Sequence, residues 1–496
     1  MASVSTDTAF FGHPRGLSTL FFTEMWERFS YYGMRALLIL FMVAPVTSGG
    51  LGLDTVRAGA IYGLYTAMVY MTTLPGGWVA DHLIGAQRAV LYGGILIAAG
   101  HFSMAVPTLT TFYAGLALIV IGTGLLKGNV SVIVGRLYTE TDPRRDAAYS
   151  IFYMGINIGS FLAPLVCGYL GQRVSWHSGF AAAGVGMTFG LAQYMLGRRH
   201  LGEAGLYPAA SSVATSTRDR RHMAWAVAAV VGLTVVLALA HAAGVLTLTA
   251  TVIADAAGYF LLAITVGFFA WLYIISTGWT ASERKRLYVI GLLFLGAALF
   301  WSEFEQAGST LNLFADRNTS NIIAGWEFPS AWYQSANALF IIMFAPVFAW
   351  LWVRLARKGI EPTSTAKFGA GLVLVGAGFA TLIVPALIAD GGVRVSPGWL
   401  MLTYLLHTWG ELLLSPVGLS AMSKLAPARI GGLVMGVWFL AAACGNYIGG
   451  RMAAFYEAIP IWTLFAAVAA FGVATGMIFL LLARPIGGLE RNPDAA

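Results

Sequence analysis

Long apolar runs recur from one end of this chain to the other, and they limit its possible folds more than any other feature. Each run is long enough to cross a hydrocarbon core of about 30 Å as a helix. Of the 496 residues, 58% are hydrophobic and only 10% are charged, whereas about a quarter of the residues of a soluble protein are charged. So few charges cannot cover a water-facing surface, and in lipid the backbone must satisfy its own hydrogen bonds. The chain is therefore predicted to be an all-α polytopic membrane protein.

The polar breaks between the apolar runs predict fourteen transmembrane helices. We expect their bounds to be accurate only to a few residues. The predicted spans are 17–45, 53–80, 89–107, 110–138, 147–171, 179–197, 223–246, 251–277, 288–315, 329–356, 367–389, 397–424, 430–452 and 460–483. The polar residues before the first span do not have the pattern of a cleavable signal peptide.

The placement of basic residues predicts the orientation of these helices. If the N-terminus is cytoplasmic, most of the 29 Lys and Arg residues fall in or beside cytoplasmic segments. Those that fall on the other side are Arg173, Arg317, Arg394 and Arg451. The positive-inside rule therefore favours cytoplasmic N- and C-termini. Because this placement also accounts for the net charge of +7, no nucleic-acid partner is expected.

The polar segments group the helices as six, two and six. The predicted parts are a cytoplasmic N-terminus 1–16, an N-terminal six-helix bundle 17–197, a cytoplasmic connector 198–222, two inserted helices 223–277, a C-terminal six-helix bundle 278–485 and a cytoplasmic tail 486–496. Two six-helix bundles resemble the major facilitator fold, in which the two halves move around a site at the membrane midplane. Gly77–Asp81, followed by Gly85 and Arg88, is similar to a cytoplasmic loop signature of that superfamily.

The first helix carries a stripe of ionisable residues. Each such group at the centre of a membrane helix costs about 2.5–3.5 kcal/mol, so it needs a reason to be there. At about 100° per residue, the members of this stripe fall within an arc of about 100° and a length of about 16 Å. The stripe consists of Glu24, Glu27, Arg28, Tyr31 and Arg35. It is predicted to line a water-filled cavity or another polar helix.

Polar residues on other helices extend this pattern. The further ionisable residues are Lys127, Glu303, Glu305 and Glu411, and they are accompanied by Tyr70, Asn157 and Asn337. For any single pair, a buried ion pair that fixes helix register is an alternative. Among the central charges, however, we count three cations, Arg28, Arg35 and Lys127, and four carboxylates, Glu24, Glu27, Glu305 and Glu411. The surplus carboxylate is the natural proton acceptor, and the mixture of charges suits a zwitterionic substrate.

Two motifs carry a family resemblance. Glu24-Met-Trp-Glu27-Arg28-Phe29-Ser-Tyr31-Tyr32-Gly33 resembles the E-x-x-E-R-F-x-Y-Y-G signature of the proton-dependent oligopeptide transporter family, and Phe152–Ser160 is similar to that family's helix-five signature. Two inserted helices are usual in its prokaryotic members. The resemblance implies proton-coupled uptake of di- and tripeptides by alternating access across a bacterial inner membrane. It implies no cofactor or metal, with protons as the coupling ion, and a monomer in the lipid bilayer.

The resemblance also implies roles for individual residues. The proton-coupling residues would be Glu24, Glu27, Arg28, Lys127 and Glu305. The ion pairs that close one side would be Arg35 with Glu305 and Lys127 with Glu411. Animal members place a proton-linked histidine on the second helix, but 53–80 contains none. Coupling is therefore expected to depend on carboxylates.

The substrate-binding residues implied by the resemblance fall into groups by the part of the peptide they contact. The peptide carboxylate would meet Arg35 and Lys127, and the amino end would meet Asn157, Asn337 and Glu411. The remaining contacts would come from Tyr31, Tyr70, Trp301, Ser415 and Trp438. Ordinary helix packing is the alternative role for the aromatic residues.

Three other functions are considered. The chain could carry another small anionic or zwitterionic solute such as nitrate, or it could be a nutrient sensor that no longer transports. A membrane-embedded enzyme is disfavoured because the sequence contains no HExxH or GxSxG motif and no Cys/His metal-ligand spacing. Cys167 and Cys444 lie inside apolar runs and are expected to be core residues.

Overall fold

A computed structural model describes residues 7–209, 213–427 and 430–491. The start of the predicted N-terminus, the middle of the predicted connector and the end of the predicted tail lie outside the described residues. The helices are α1 Arg15–Val43, α2 Thr55–Met71, α3 Thr73–Val79, α4 Ala86–Met104, α5 Leu109–Arg136, α6 Arg145–Arg173, α7 Trp176–Gly197, α8 Val213–Ala242, α9 Ala250–Ala270, α10 Ala281–Phe304, α11 Thr310–Arg317, α12 Ser335–Arg357, α13 Ser364–Ala380, α14 Ile383–Asp390, α15 Pro397–Leu425, α16 Gly431–Arg451 and α17 Ile461–Arg491. A small antiparallel hairpin pairs β1 Ile322–Ile323 with β2 Trp326–Glu327.

Each predicted span coincides with helical structure, and three of the spans are interrupted. The second span is divided into α2 and α3, the ninth into α10 and α11, and the eleventh into α13 and α14. Within the described residues, eight helical spans are long and apolar enough to cross a membrane by length and composition. The first helix is not among them, and its charges at Glu24, Glu27, Arg28 and Arg35 lower its apolar content.

Helix α8 begins earlier than the sequence predicts. The predicted start is residue 223, whereas the helix starts at Val213. Residues such as Arg218, Arg220 and Arg221 are good helix formers, so the helix continues past its apolar part into a polar, mostly exposed segment. In its most apolar stretch 0% of the residues are buried, as expected of a helix whose side chains face lipid.

The described residues form two compact units. Unit 1 contains those within Met1–Tyr32, Met71–Ser160 and Phe180–Ala256, and unit 2 contains those within Gly33–Tyr70, Phe161–Gly179 and Ala257–Ala496. The division falls inside α1, α2, α6, α7 and α9 rather than at the connector. The bundle bounds 17–197 and 278–485 therefore stay predictions.

Small residues allow the helices within each unit to approach closely. In unit 1, a Cβ on Gly100 would lie 2.8 Å from the carbonyl oxygen of Gly115, where α4 packs on α5. In unit 2, a Cβ on Gly369 would lie 2.9 Å from the carbonyl oxygen of Gly476, where α13 packs on α17. Lipid supplies no hydrophobic drive between helices, so close backbone packing stabilises these pairs.

Candidate functional site

Unit 1 contains a buried charge cluster on α1. Arg28 Nε lies 2.9 Å from Glu24 Oε1 and 2.6 Å from Glu27 Oε2. Spacings of three and four residues place side chains on one helical face, which is why both carboxylates reach the same guanidinium. All three side chains are at most 5% exposed. Two carboxylates thus share one guanidinium in a buried site.

Glu27 is the less completely paired of the two carboxylates. Neither of its oxygens has a hydrogen-bond partner among the described residues, although Oε2 forms the ion pair, whereas Glu24 Oε1 accepts a hydrogen bond from Arg28 Nε. Lys127, half-buried on α5, exerts a Coulombic interaction on Glu27. The guanidinium of Arg28 also lies 5.8 Å from the ring centroid of Tyr31, which is itself buried. The cluster can therefore accept a proton on a carboxylate without losing all its internal contacts.

Asn157 lies on α6, close to the same stretch of α1. A Cβ on Gly155 would lie 3.0 Å from the ring of Phe21, and a Cβ on Gly159 would overlap with the carbonyl oxygen of Met25. The motif Phe152–Ser160 therefore contains the two glycines that allow α1 to pack closely against α6. The buried Asn157 donates its amide hydrogen to the carbonyl oxygen of Tyr153 at 2.9 Å.

Unit 2 contains the ion pair of Arg35 with Glu305. Arg35 Nη2 lies 2.5 Å from Glu305 Oε2, and Arg35 Nε donates to the hydroxyl of Tyr62 at 2.8 Å. Glu305 begins the 3₁₀ turn Glu305–Gly308 that separates α10 from α11. A Cβ on Gly308 would overlap with the Tyr62 hydroxyl. Glycine is therefore required there for the turn to approach Arg35 and Tyr62.

A second polar group in unit 2 joins α12 to α15. Asn337 Nδ2 donates to Glu411 Oε2 at 2.9 Å and to Thr408 Oγ1 at 3.1 Å. Arg35 and Glu305 both act electrostatically on Glu411. The structure therefore places these four predicted residues in one charged environment within unit 2. Lys127 belongs to unit 1 and Glu411 to unit 2, so the predicted pairing of these two residues stays a prediction.

The remaining predicted residues occupy packed or half-buried positions in unit 2. A Cβ on Gly445 of α16 would lie 2.5 Å from Cβ of Trp301. Trp438 is 8% exposed and covers Gly418 of α15. Tyr70 on α2 and Ser415 on α15 are half-buried.

Sequence reasoning missed several polar contacts. Tyr62 lies in an apolar run, and nothing in that run marked it as the partner of Arg35. Gln172 Nε2 donates to Ser330 Oγ at 2.8 Å, and Ser330 Oγ donates to Asp316 Oδ1 at 2.8 Å. Arg317 Nη1 lies 2.6 Å from Glu457 Oε1. A charged or amide residue at the end of an apolar run was the only available signal for these two groups of contacts.

Among the described residues, no group of three or more His, Cys, Asp or Glu side chains is placed to hold a metal ion. The arrangement instead combines long apolar helices, buried carboxylates that share cations, and a broken helix at an ion pair. These features define a polytopic membrane transporter of the major facilitator type.

Comparisons with known proteins identify the family. A family model described as POT family matches residues 87–471, so the chain belongs to the POT family. It is 43% identical to the peptide transporter YePEPT of Yersinia enterocolitica, over 97% of this chain and 96% of that protein. It is 38% identical to a di-/tripeptide transporter of Lactococcus lactis subsp. cremoris, over 97% of each chain.

Solved structures agree with this assignment. A crystal structure of a peptide transporter POT in complex with sulfate has a TM-score of 0.91 and 45% identity, covering 97% of this chain and 96% of that one. A POT family transporter in complex with a thioalcohol conjugated peptide has a TM-score of 0.88 and 35% identity, covering 97% and 98%. The predicted family and fold class are confirmed. The protein is a multi-pass membrane transporter, and its family and relatives are not enzymes.

Proposed function

We propose that the protein is a proton-coupled symporter that takes up di- and tripeptides by alternating access. The observation that carries this proposal is the cluster of Glu24, Glu27 and Arg28, in which two buried carboxylates share one guanidinium. A lone ionised carboxylate is costly inside a membrane protein, so a proton on this cluster changes its net charge and its contacts together. That change is what couples a proton to a conformational step.

The proposed coupling proceeds through ion pairs. A proton on Glu24 or Glu27 neutralises that carboxylate and weakens its ion pair with Arg28. A bound peptide competes for the charges that pair Arg35 with Glu305. The electrical drive is about 2.3 kcal/mol per charge per 100 mV of membrane potential. Protons are the proposed coupling ion, and no other cofactor is proposed.

The substrate class is supported by relatives whose names are peptide transporter and di-/tripeptide transporter. In the proposed binding mode, the cations Arg35 and Lys127 contact the peptide carboxylate. Asn157, Asn337 and Glu411 contact the amino end. Because Asn337 donates to one oxygen of Glu411, it orients that carboxylate for a charge-assisted hydrogen bond with an ammonium group.

The proposed location is the inner membrane of a bacterium, with both termini in the cytoplasm. The positive-inside distribution of Lys and Arg supports this orientation. The basic residues beside the membrane include Arg144, Arg145, Arg198 and Arg199. The proposed functional unit is a monomer in the lipid bilayer.

Uptake of labelled dialanine into proteoliposomes with an inward proton gradient tests the proposal. We expect concentrative uptake that a proton ionophore abolishes and that Glu27→Gln loses. Ser30→Ala is the matched control, because Ser30 is buried on the same helix and contacts no charged side chain: it donates to the backbone oxygen of Glu27 and to Met187 Sδ. Dialanine uptake that is independent of the proton gradient would contradict proton coupling. Competition by nitrate but not by dipeptides would contradict the substrate, and the absence of any uptake would favour a sensor.

A further inference from the structure

Glu303 is a buried acid that the proposed mechanism does not use. It lies on α10 next to the last residue of the helix and is 1% exposed. Neither Oε1 nor Oε2 has a hydrogen-bond partner among the described residues. No described cation forms an ion pair with it. Burying a charge without a partner is far more costly than burying a neutral acid, so the protonated form is favoured at this position.

The Glu303 carboxyl group packs against α17. It faces Gly472 of α17, where a Cβ would overlap with Oε2. The elements packed against α10 are α13, α15, α16 and α17, together with the turns Trp271–Ile275 and Glu305–Gly308. Their titratable residues are Tyr273, Glu305, Lys367, Tyr404, His407, Glu411, Lys424, Cys444, Tyr447, Arg451, Arg484, Glu490 and Arg491. Among those whose side chains are described, none contacts the Glu303 carboxyl group through a hydrogen bond or ion pair.

The position of Glu303 links it to the Arg35–Glu305 ion pair. Helix α10 ends at Phe304, and the 3₁₀ turn that follows begins with Glu305. Such a break in a membrane helix is a place where the chain can bend. Glu303 is two residues from the charge that Arg35 holds, so opening this pair frees the segment that carries the buried acid.

We propose that Glu303 is a further proton-binding residue of the transport cycle, which exchanges its proton when the Arg35–Glu305 pair opens. This inference rests on the proposed proton-coupled function. When the pair opens and water reaches the seam between α10 and α17, the Glu303 O–H bond breaks and its proton passes to water. When the pair closes again, the carboxylate takes a proton back. Release and uptake take place on opposite sides of the membrane, so each cycle carries one more proton.

Glu303→Gln tests this role because glutamine keeps the shape of the protonated acid but has no proton to release. At an imposed gradient of one pH unit and no membrane potential, each coupled proton contributes a factor of about ten to the dialanine accumulation ratio. We therefore expect Glu303→Gln to accumulate about tenfold less dialanine than wild type while it still exchanges labelled for unlabelled dialanine. Ser302→Ala is the matched control, since Ser302 is a buried neighbour that donates to a backbone oxygen of its own helix.

A second variant covers the case in which glutamine is not tolerated. Glu303→Asp keeps a titratable group with a shorter reach, so it should transport with a displaced pH profile, whereas Ser302→Ala should follow wild type. An accumulation ratio in Glu303→Gln equal to that of wild type, or an unchanged pH profile in Glu303→Asp, would overturn the proposal. Failure of the proposed function itself would differ, because wild type would then not concentrate dialanine at all.

Discussion

Arg35 Nη2 lies 2.5 Å from Glu305 Oε2, and each of these two side chains is only 6% exposed. The same guanidinium donates through Nε to Tyr62. One arginine on α1 therefore joins α2 to the turn between α10 and α11. A buried ion pair does not by itself imply a large stabilisation, because desolvation offsets much of the attraction. Replacing only one of the two partners is costly, however, since the buried charge of the other is then left unpaired.

Glu305→Gln should consequently destabilise the purified protein strongly, by about 3–5 kcal/mol if the site stays dry. Tyr62→Phe is the matched control, because it removes a single hydrogen bond of Arg35 and should cost about 1 kcal/mol. Thermal unfolding in detergent measures both. Adding Arg35→Gln to Glu305→Gln should cost less than the sum of the single changes. Equal midpoints for Glu305→Gln and Tyr62→Phe would contradict a tightly coupled pair.

Arg28→Lys should uncouple transport more than it slows exchange. The arginine reaches both Glu24 and Glu27, whereas an ammonium group on a flexible stem cannot reproduce this planar geometry. We expect gradient-driven accumulation of dialanine to fall at least tenfold while exchange without a gradient persists. Ser30→Ala should change neither rate. A parallel loss of accumulation and exchange would instead point to a structural role for Arg28.

Asn337→Ala should weaken recognition of the peptide amino end. Without the amide donor, Glu411 loses its orienting hydrogen bond, and a hydrogen bond to a charged group contributes about 1.5–3 kcal/mol. We expect the KM for dialanine to rise about tenfold or more. Thr408→Val is the control, since it removes the other hydrogen bond of the Asn337 amide but leaves the contact between Asn337 and Glu411 in place. An unchanged KM in Asn337→Ala would contradict the role of Glu411.

The N-terminal segment, residues 9–13, should detach from the rest of unit 1 as the pH falls. The Nδ1 atom of His13 lies 2.9 Å from the Tyr138 hydroxyl, and Arg144 Nη1 donates to the carbonyl oxygen of Gly12 at 3.3 Å. Burial lowers the pKa of His13, the charge of Arg144 lowers it further, and Asp142 partly opposes both. The detached histidine, with a pKa of about 6.5, therefore binds protons more readily than the docked one. Docking is complete above that pH and weakens below it.

Hydrogen exchange of the amides of residues 9–13, corrected for the intrinsic pH dependence, measures this detachment. Protection should fall as the pH drops through about 6.5 and should become independent of pH in His13→Gln. The exposed His222 provides the control His222→Gln, which should behave as wild type. The same pH dependence in His13→Gln would assign the effect to another group.

The sequence was sufficient to predict the helices and the α1 stripe, because lipid penalises charges and because spacings of three and four share a helical face. It did not predict the break at Glu305–Gly308, since Glu-Gln-Ala is compatible with a continuous helix. Glu303 and Glu305 are two residues apart, so they point to different sides of the helix. Only the packing reveals that Glu305 meets Arg35 while Glu303 faces Gly472.

Tyr62 illustrates a second limit of sequence reasoning. It is fully buried in an apolar stretch of α2, and its hydroxyl gains a role only because Arg35 and the glycine at Gly308 bring that hydroxyl into a polar group. The start of α8 at Val213 illustrates a third limit. Hydropathy identifies the part of a helix that fits in lipid, but not how far polar helix-forming residues continue the helix in water.

The most direct test of proton–peptide symport is to let the peptide drive the proton. Proteoliposomes with a pH reporter inside, equal pH on both sides and a clamped membrane potential receive dialanine outside. The account predicts that the lumen acidifies in wild type and in Ser30→Ala, and that it does not acidify in Glu27→Gln. Dialanine entry in wild type without acidification of the lumen would contradict it.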